Sequence, residues 1–224
     1  IVVNIKYMNK KFISGLIATF LWLAIAVPAL AQINAPSRED IKAKRTELNA
    51  QLKNEREAAK KRLETAREEA KKAAETRRAE LKDKISKLRD EKKKQIATRL
   101  DEQMARLNAK WTDHFNNVLV RLLEILSNVE LRASKAEVSG KDVSAVKMAI
   151  QNAKTAIGTA RTAVEAQTKK TYIATFSSET GLGAAFKVVR NQLHSDLTSL
   201  RDGAMKSSRE AVQNALQALK DLNF

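Results

Sequence analysis

Apolar residues return every eleven positions through the first half of the chain. Residues 41–73 divide into IKAKRTELNAQ, LKNEREAAKKR and LETAREEAKKA, each opening on an apolar residue. The first place of successive blocks is Ile41, Leu52, Leu63, Ala74, Ile85, Ile96, Leu107, Val118 and Val129. Eleven residues in three turns is about 3.67 per turn, close to the relaxed α-helix, so such a seam stays nearly in line. The spacing predicts one long, unbroken, coiled-coil-like helix from Ser37 to about residue 136. Ser37 and Asp40 form its capping box, and neither Gly nor Pro falls inside it before Gly140.

The seam changes width on the way. The fifth place is Arg45, Arg56, Arg67, Arg78 and Arg89, then Leu100, Trp111 and Leu122. Up to Arg89 the apolar stripe is narrow, edged by Ala59 and Ala70 on one side and Arg on the other. Beyond Leu100 it broadens, which calls for more than one covering neighbour.

Gly140 predicts a helix stop and Asp142 a cap. Val143, Val146, Ile150, Ala153, Ile157, Ala160 and Val164 then mark an amphipathic helix ending near Gln167. TYIATF, residues 171–176, reads as extended, with Tyr172 and Phe176 on one face. A last helix over 183–222 carries Phe186, Val189, Leu193, Leu197, Leu200, Ala204, Val212, Leu216 and Leu219, with Gly203 weakening it. The middle helix plus the extended run reaches about 60 Å, as does the last helix at 1.5 Å per residue. Counted back along the first helix, that length ends near residue 95. The expected fold is therefore all-α: a very long N-terminal helix whose C-terminal half joins an antiparallel three-helix bundle over 95–224. Residues 37–94 are expected to project as a basic stalk.

The N-terminal stretch supplies an address. Lys10 and Lys11 precede the apolar run Phe12 to Val27, and Pro28 precedes Ala29-Leu30-Ala31. This is the layout of a secretory signal peptide over 1–31, with cleavage before Gln32, a linker over 32–36, and residues 1–7 upstream of the initiating Met8. An uncleaved membrane anchor over 12–33 is the alternative. Either reading places the remainder outside the cytoplasm, periplasmic or extracellular, where intracellular nucleic acid is not the expected partner.

Formal net charge is +16, from 42 Lys+Arg against 26 Asp+Glu. Residues 37–95 carry 21 basic and 13 acidic side chains, a net of +8. Arg45, Arg56 and Arg89 have no acid three or four places away, and Lys92, Lys93 and Lys94 follow. These residues, with Arg67 and Arg78, form the candidate contact for a polyanion such as an anionic lipid surface or envelope polymer. The seam alanines Ala59, Ala66, Ala70 and Ala74 offer a surface for weak homodimerisation. With no Cys, there is no thiolate site and no disulfide. His114 and His194 lack partners at metal-ligand spacing, and no nucleophile constellation appears. No catalytic residue, cofactor or small-molecule substrate is expected.

TDHFNNVLVRLLEIL (112–126), KAEVSGKDVSAVKMAI (135–150) and TYIATF resemble a family of exported helical proteins of small-genome candidate-phylum bacteria. The resemblance covers about residues 85–220. It implies secretion and helicity and carries no chemistry. The expected function is a non-enzymatic spacer or contact arm of the cell envelope. The alternatives are a periplasmic holdase-type chaperone and a membrane-anchored, stator-like rod.

Overall fold

A computed structural model describes residues 37–222. The expected signal peptide and linker lie outside the described residues. The fold is all-α, as expected. Its helices are α1 (Arg38–Ser86), α2 (Glu91–Val138), α3 (Ser144–Thr168), α4 (Leu182–Leu200) and α5 (Lys206–Lys220). A short 3-10 turn, Glu179–Gly181, precedes α4, and a π-helical turn, Arg201–Met205, joins α4 to α5.

Helix starts and stops follow local chemistry. Ser37 and Asp40 close the capping box reciprocally, at 2.7 and 3.1 Å. Gly140 ends α2 with φ of 76°, the left-handed conformation that glycine takes without steric cost. Asp142 Oδ1 accepts from the Ser144 amide at 2.9 Å and its hydroxyl at 2.6 Å, ahead of α3. The π turn reflects a spacing of five between the buried Leu200 and Met205, where three or four is regular. One surplus residue is absorbed there, so Val212, Ala215 and Leu219 stay on the buried face.

The expected unbroken rod is divided. Residues 87–90 turn the chain, and α1 runs back antiparallel along α2, as the pairs Lys44–Glu130 and Arg67–Asp113 record. The segment expected to project as a stalk is therefore packed. Its seam residues Leu63 (4% exposed) and Ala74 (0%) are buried, as are Leu48, Leu81 and Ile85. Burying the four large ones contributes roughly 6–12 kcal/mol at 1.5–3 kcal/mol per side chain. Interrupting the helix gives up about four backbone hydrogen bonds at about 1 kcal/mol each. Burial wins.

The turn needs neither Gly nor Pro. Asp90 Oδ1 caps α2 by accepting from the Lys92 and Lys93 amides, at 2.8 and 3.2 Å. Lys84 and Lys87 sit at the negative end of α1, while Asp90 and Glu91 sit at the positive start of α2. Glu91 thus occupies the first helical position, after a residue with φ −87° and ψ 112°, a backbone suited to precede proline. Glu91→Pro is expected to change stability by less than about 1 kcal/mol, against a loss of 3 or more inside an unbroken helix. Urea unfolding of the variant checks this.

Helices α2, α3 and α4–α5 form the antiparallel bundle, and α1 lies along α2 and α3. The main core joins Phe115, Leu119, Leu126, Ile157, Val164 and Val212. A second cluster caps the α1–α2 turn: Leu81, Ile85, Leu88 and Ala97 meet Ala174, Phe176, Leu182 and Phe186. Residues 170–176 run outside any helix, with Tyr172, Ala174 and Phe176 buried on one face, as the alternation predicts. Their far end reaches the start of α2, where Lys93 pairs with Glu179 at 2.8 Å.

Candidate functional site

The eleven-residue recurrence of Arg has a partner on the facing helix. Arg56 pairs with Glu124. Arg67 donates to Asp113 Oδ1 at 2.7 Å, to the Ala109 carbonyl at 3.2 Å and to Thr112 Oγ1 at 3.3 Å. Arg78 faces Asp101, whose carboxyl is pushed up by burial and drawn partly back by Arg78 and Lys82. Basic residues ascend α1 by eleven while acids descend α2 by eleven and twelve, as an antiparallel pair of helices requires. The acids that face the ridge lie 68, 46 and 23 positions away on the next helix, so spacings of three or four along one helix do not reveal them.

Of the remaining ridge candidates, Lys93 is held by Glu179 and Lys94 by Glu91 at 2.6 Å. Arg45, Arg89 and Lys92 are exposed, and their charged groups make no ion pair within 4 Å among the described residues, although the Arg89 and Lys92 amides donate to Glu179 and Asp90. The seam alanines Ala59, Ala66, Ala70 and Ala74 are buried against the chain itself, which removes the surface expected to take a second copy.

A different basic row faces solvent. Lys42, Lys53, Lys60, Lys71 and Lys82 are all exposed, at spacings of 11, 7, 11 and 11. At 100° per residue they fall within about 40° of one another on the α1 wheel. Only Lys60 of the five has an acidic partner within 4 Å among the described residues, Glu64 at 4.0 Å. The row runs beside the Arg ridge for about 60 Å. Described residues 37–222 carry 39 Lys+Arg and 26 Asp+Glu, a net of +13.

On its other edge α1 is tied to α3 by Glu55–Arg161, Arg62–Glu165 at 3.7 Å and Glu69–Lys169 at 2.9 Å. Between these ties and α2 opens a cleft of about 520 Å³. A second, polar groove of about 640 Å³ separates α1 from α2 between Arg56, Lys60, Arg121 and Asn117.

A buried polar relay closes the end of α3. Asn108 Nδ2 donates to the Gln167 and Lys170 carbonyls, both at 3.2 Å. Gln167 Nε2 donates to Asn108 Oδ1 at 2.9 Å and to the Tyr172 oxygen at 2.6 Å. The Tyr172 hydroxyl donates to Asp196 Oδ2 at 2.7 Å, and Lys170 and Gln192 hold Asp196 Oδ1. Burial pushes the Tyr172 phenol up, and the bond to Asp196 adds to the rise. For Asp196 burial acts upward, but Tyr172, Lys170 and Gln192 outweigh it, and the net shift is downward. The relay orders the chain as it leaves α3. The hint in the sequence is a polar pair, Asn108 and Thr112, four apart on the buried face of α2.

A tyrosine whose folded value lies above its unfolded one contributes stability in full below pH about 10 and loses it as pH rises through the folded value. Tyr172 therefore adds an alkaline loss of up to about 1.4 kcal/mol per pH unit above pH 10. Tyr172→Phe is expected to flatten that part of the slope, seen by comparing urea midpoints of the two proteins at mildly and strongly alkaline pH.

Large apolar side chains remain exposed on one flank of α2: Ile96 (53%), Leu107 (38%), Trp111 (41%) and Ile125 (39%). Trp111 packs edge-on to His114 and tilted on Phe115, each at 5.7 Å between centroids. Among the described residues no group of three or more His, Asp or Glu converges to hold a metal ion. No described helix is long and apolar enough to cross a membrane. Comparison of the chain with family models, with curated proteins and with solved structures finds no match.

Proposed function

We propose that this is a non-enzymatic, exported protein of the cell envelope that contacts a polyanion through the outer edge of α1. The observation that carries the reading is the row Lys42, Lys53, Lys60, Lys71 and Lys82, exposed along about 60 Å of one helix edge. Positive charge on a rigid edge attracts extended polyanions with little sequence or shape preference, and the attraction weakens as salt rises. This moves the contact from the Arg ridge, whose central members are engaged with α2, to the lysines beside it, with Arg45, Arg89 and Lys92 extending the row. Anionic lipid or an acidic envelope polymer fits this chemistry, and export makes either accessible. Mass spectrometry of the native protein is expected to find a chain starting at Gln32.

The test is retention of the full chain on an immobilised sulfated polysaccharide under a salt gradient. Replacing Lys42, Lys53, Lys71 and Lys82 by Gln is expected to lower the eluting salt markedly while leaving the thermal midpoint near its original value. Arg67→Gln is expected to lower the midpoint instead, because its partners are Asp113 and the α2 backbone. Unchanged elution of the four-lysine variant refutes the reading.

A holdase is the second reading, favoured by the exposed row Ile96, Leu107, Trp111 and Ile125. It requires the protein to suppress aggregation of an unfolded client, and Trp111→Ser to weaken that suppression.

A further inference from the structure

The bundle leaves one apolar stripe of α2 uncovered. Ile96, Leu107, Trp111 and Ile125 are exposed, with Leu100 and Val118 half-buried between them. At 100° per residue all six fall within about 60° on the helix wheel, and they extend along about 44 Å. Single exposed apolar residues need no explanation, but a row of this length marks a contact. His114, edge-on to Trp111, is exposed within the stripe.

One edge of the stripe is basic throughout. Arg99, Arg106, Lys110, Arg121 and Arg132 are exposed, at spacings of 7, 4, 11 and 11. They lie within about 80° of one another, directly beside the apolar row. Only Arg106 of the five has an acidic partner within 4 Å among the described residues, Glu102 at 3.9 Å. Asp113 and Glu124, further round the helix, are taken by Arg67 and Arg56. An apolar row centred on Trp and bordered by cations suits a bilayer interface, where the apolar side chains enter the upper acyl region and the cations meet headgroup phosphates. A second copy laid antiparallel along the stripe would instead set basic edge against basic edge.

We infer that this face of α2 docks the protein on an anionic lipid bilayer, with Trp111 entering the interface and the five basic residues on lipid phosphates. The other faces of α2 are packed in the bundle, so the helix lies on the membrane without crossing it. The surface is distinct from the lysine row on α1, and either reading can fail without the other.

Trp22 and Trp111 are the two tryptophans of the chain, so the full chain carrying Trp22→Phe reports on Trp111 alone. With phosphatidylglycerol vesicles its emission is expected to move several nanometres to the blue and to be quenched by brominated lipid. Phosphatidylcholine vesicles are expected to change it little. Replacing Arg99, Arg106 and Arg121 by Gln is expected to raise the lipid needed for half the shift at least about tenfold. Leu107→Gln with Ile125→Gln is expected to do the same, at a thermal midpoint near the original. No shift on phosphatidylglycerol, or an equal shift on both kinds of vesicle, overturns the proposal. So does a shift that either folded variant keeps at the original lipid concentration. Emission that moves to the blue with protein concentration alone gives the stripe to a second copy, and a shift on an unfolded client with none on vesicles gives it to a holdase. Both results overturn the proposal.

Discussion

Asn108→Ala is expected to lower the stability of the full chain by roughly 3–5 kcal/mol, a large effect for one exchange of a polar side chain. The side chain is buried and makes three hydrogen bonds, giving to the Gln167 and Lys170 carbonyls and taking from Gln167 Nε2. The Gln167 carbonyl belongs to the last turn of α3, where helical acceptors run out, and the Lys170 carbonyl lies just beyond the helix end. Truncation strips the Lys170 carbonyl and one Gln167 amide hydrogen of their partner, each costing about 1–3 kcal/mol, and leaves the Gln167 carbonyl with the Lys170 amide alone, at 3.1 Å. It also loosens Gln167, which holds the Tyr172 oxygen at 2.6 Å. Gln192→Ala removes an exposed bond to the same relay, to Asp196 at 3.0 Å, and is expected to stay within about 0.5 kcal/mol. Urea unfolding of the two variants measures the contrast. A loss below about 1 kcal/mol for Asn108→Ala means that the end of α3 is satisfied in some other way.

Much of the helical architecture is legible in the sequence, because periodicity and capping are local. Ser37 with Asp40, Gly140, Asp142 and the alternation of Tyr172 with Phe176 each act within a few residues, and each does what its chemistry predicts. The extended run meets the chain near Lys93, close to where the Arg column ends. What is not local is missed. The turn at 87–90 has no glycine or proline to announce it, only Asp90 as a cap and an exchange of basic for acidic residues across four positions. An eleven-residue seam is equally compatible with a free rod and with a helix lying against a neighbour, and only the burial available decides between them. The Arg column was the clearer clue. Arg56, Arg67 and Arg78 recur at eleven, and Glu124, Asp113 and Asp101 recur at eleven and twelve in reverse order, a pairing that a hairpin makes and a single straight rod cannot. The cleft was not legible at all, since Gly158 reads as one weak residue in a helix until the space beside it is seen.

Leu63→Ala is expected to cost roughly 2–4 kcal/mol, and it bears on the hairpin more directly than any change in the bundle core. Leu63 lies in the part of the chain that a projecting stalk would leave in water, where the same truncation changes stability by no more than about 0.5 kcal/mol. Here it is 4% exposed and belongs to the same buried cluster as Phe115, Leu119 and Leu122 of α2. Its loss removes three carbons from that contact. The hole cannot readily collapse, because Arg67 one turn later is fixed on Asp113 and the Ala109 carbonyl. Ion pairs alone do not replace this contact, since exposed pairs such as Arg62–Glu165 contribute about 0–1 kcal/mol each and less in salt. The apolar seam is therefore what keeps α1 down, and the charges on either side set its register. High salt is expected to leave the Leu63→Ala penalty intact while trimming the effect of Arg67→Gln. Denaturant unfolding of both variants at low and high salt separates the two contributions. A Leu63→Ala protein as stable as the original would mean that α1 stands free of α2.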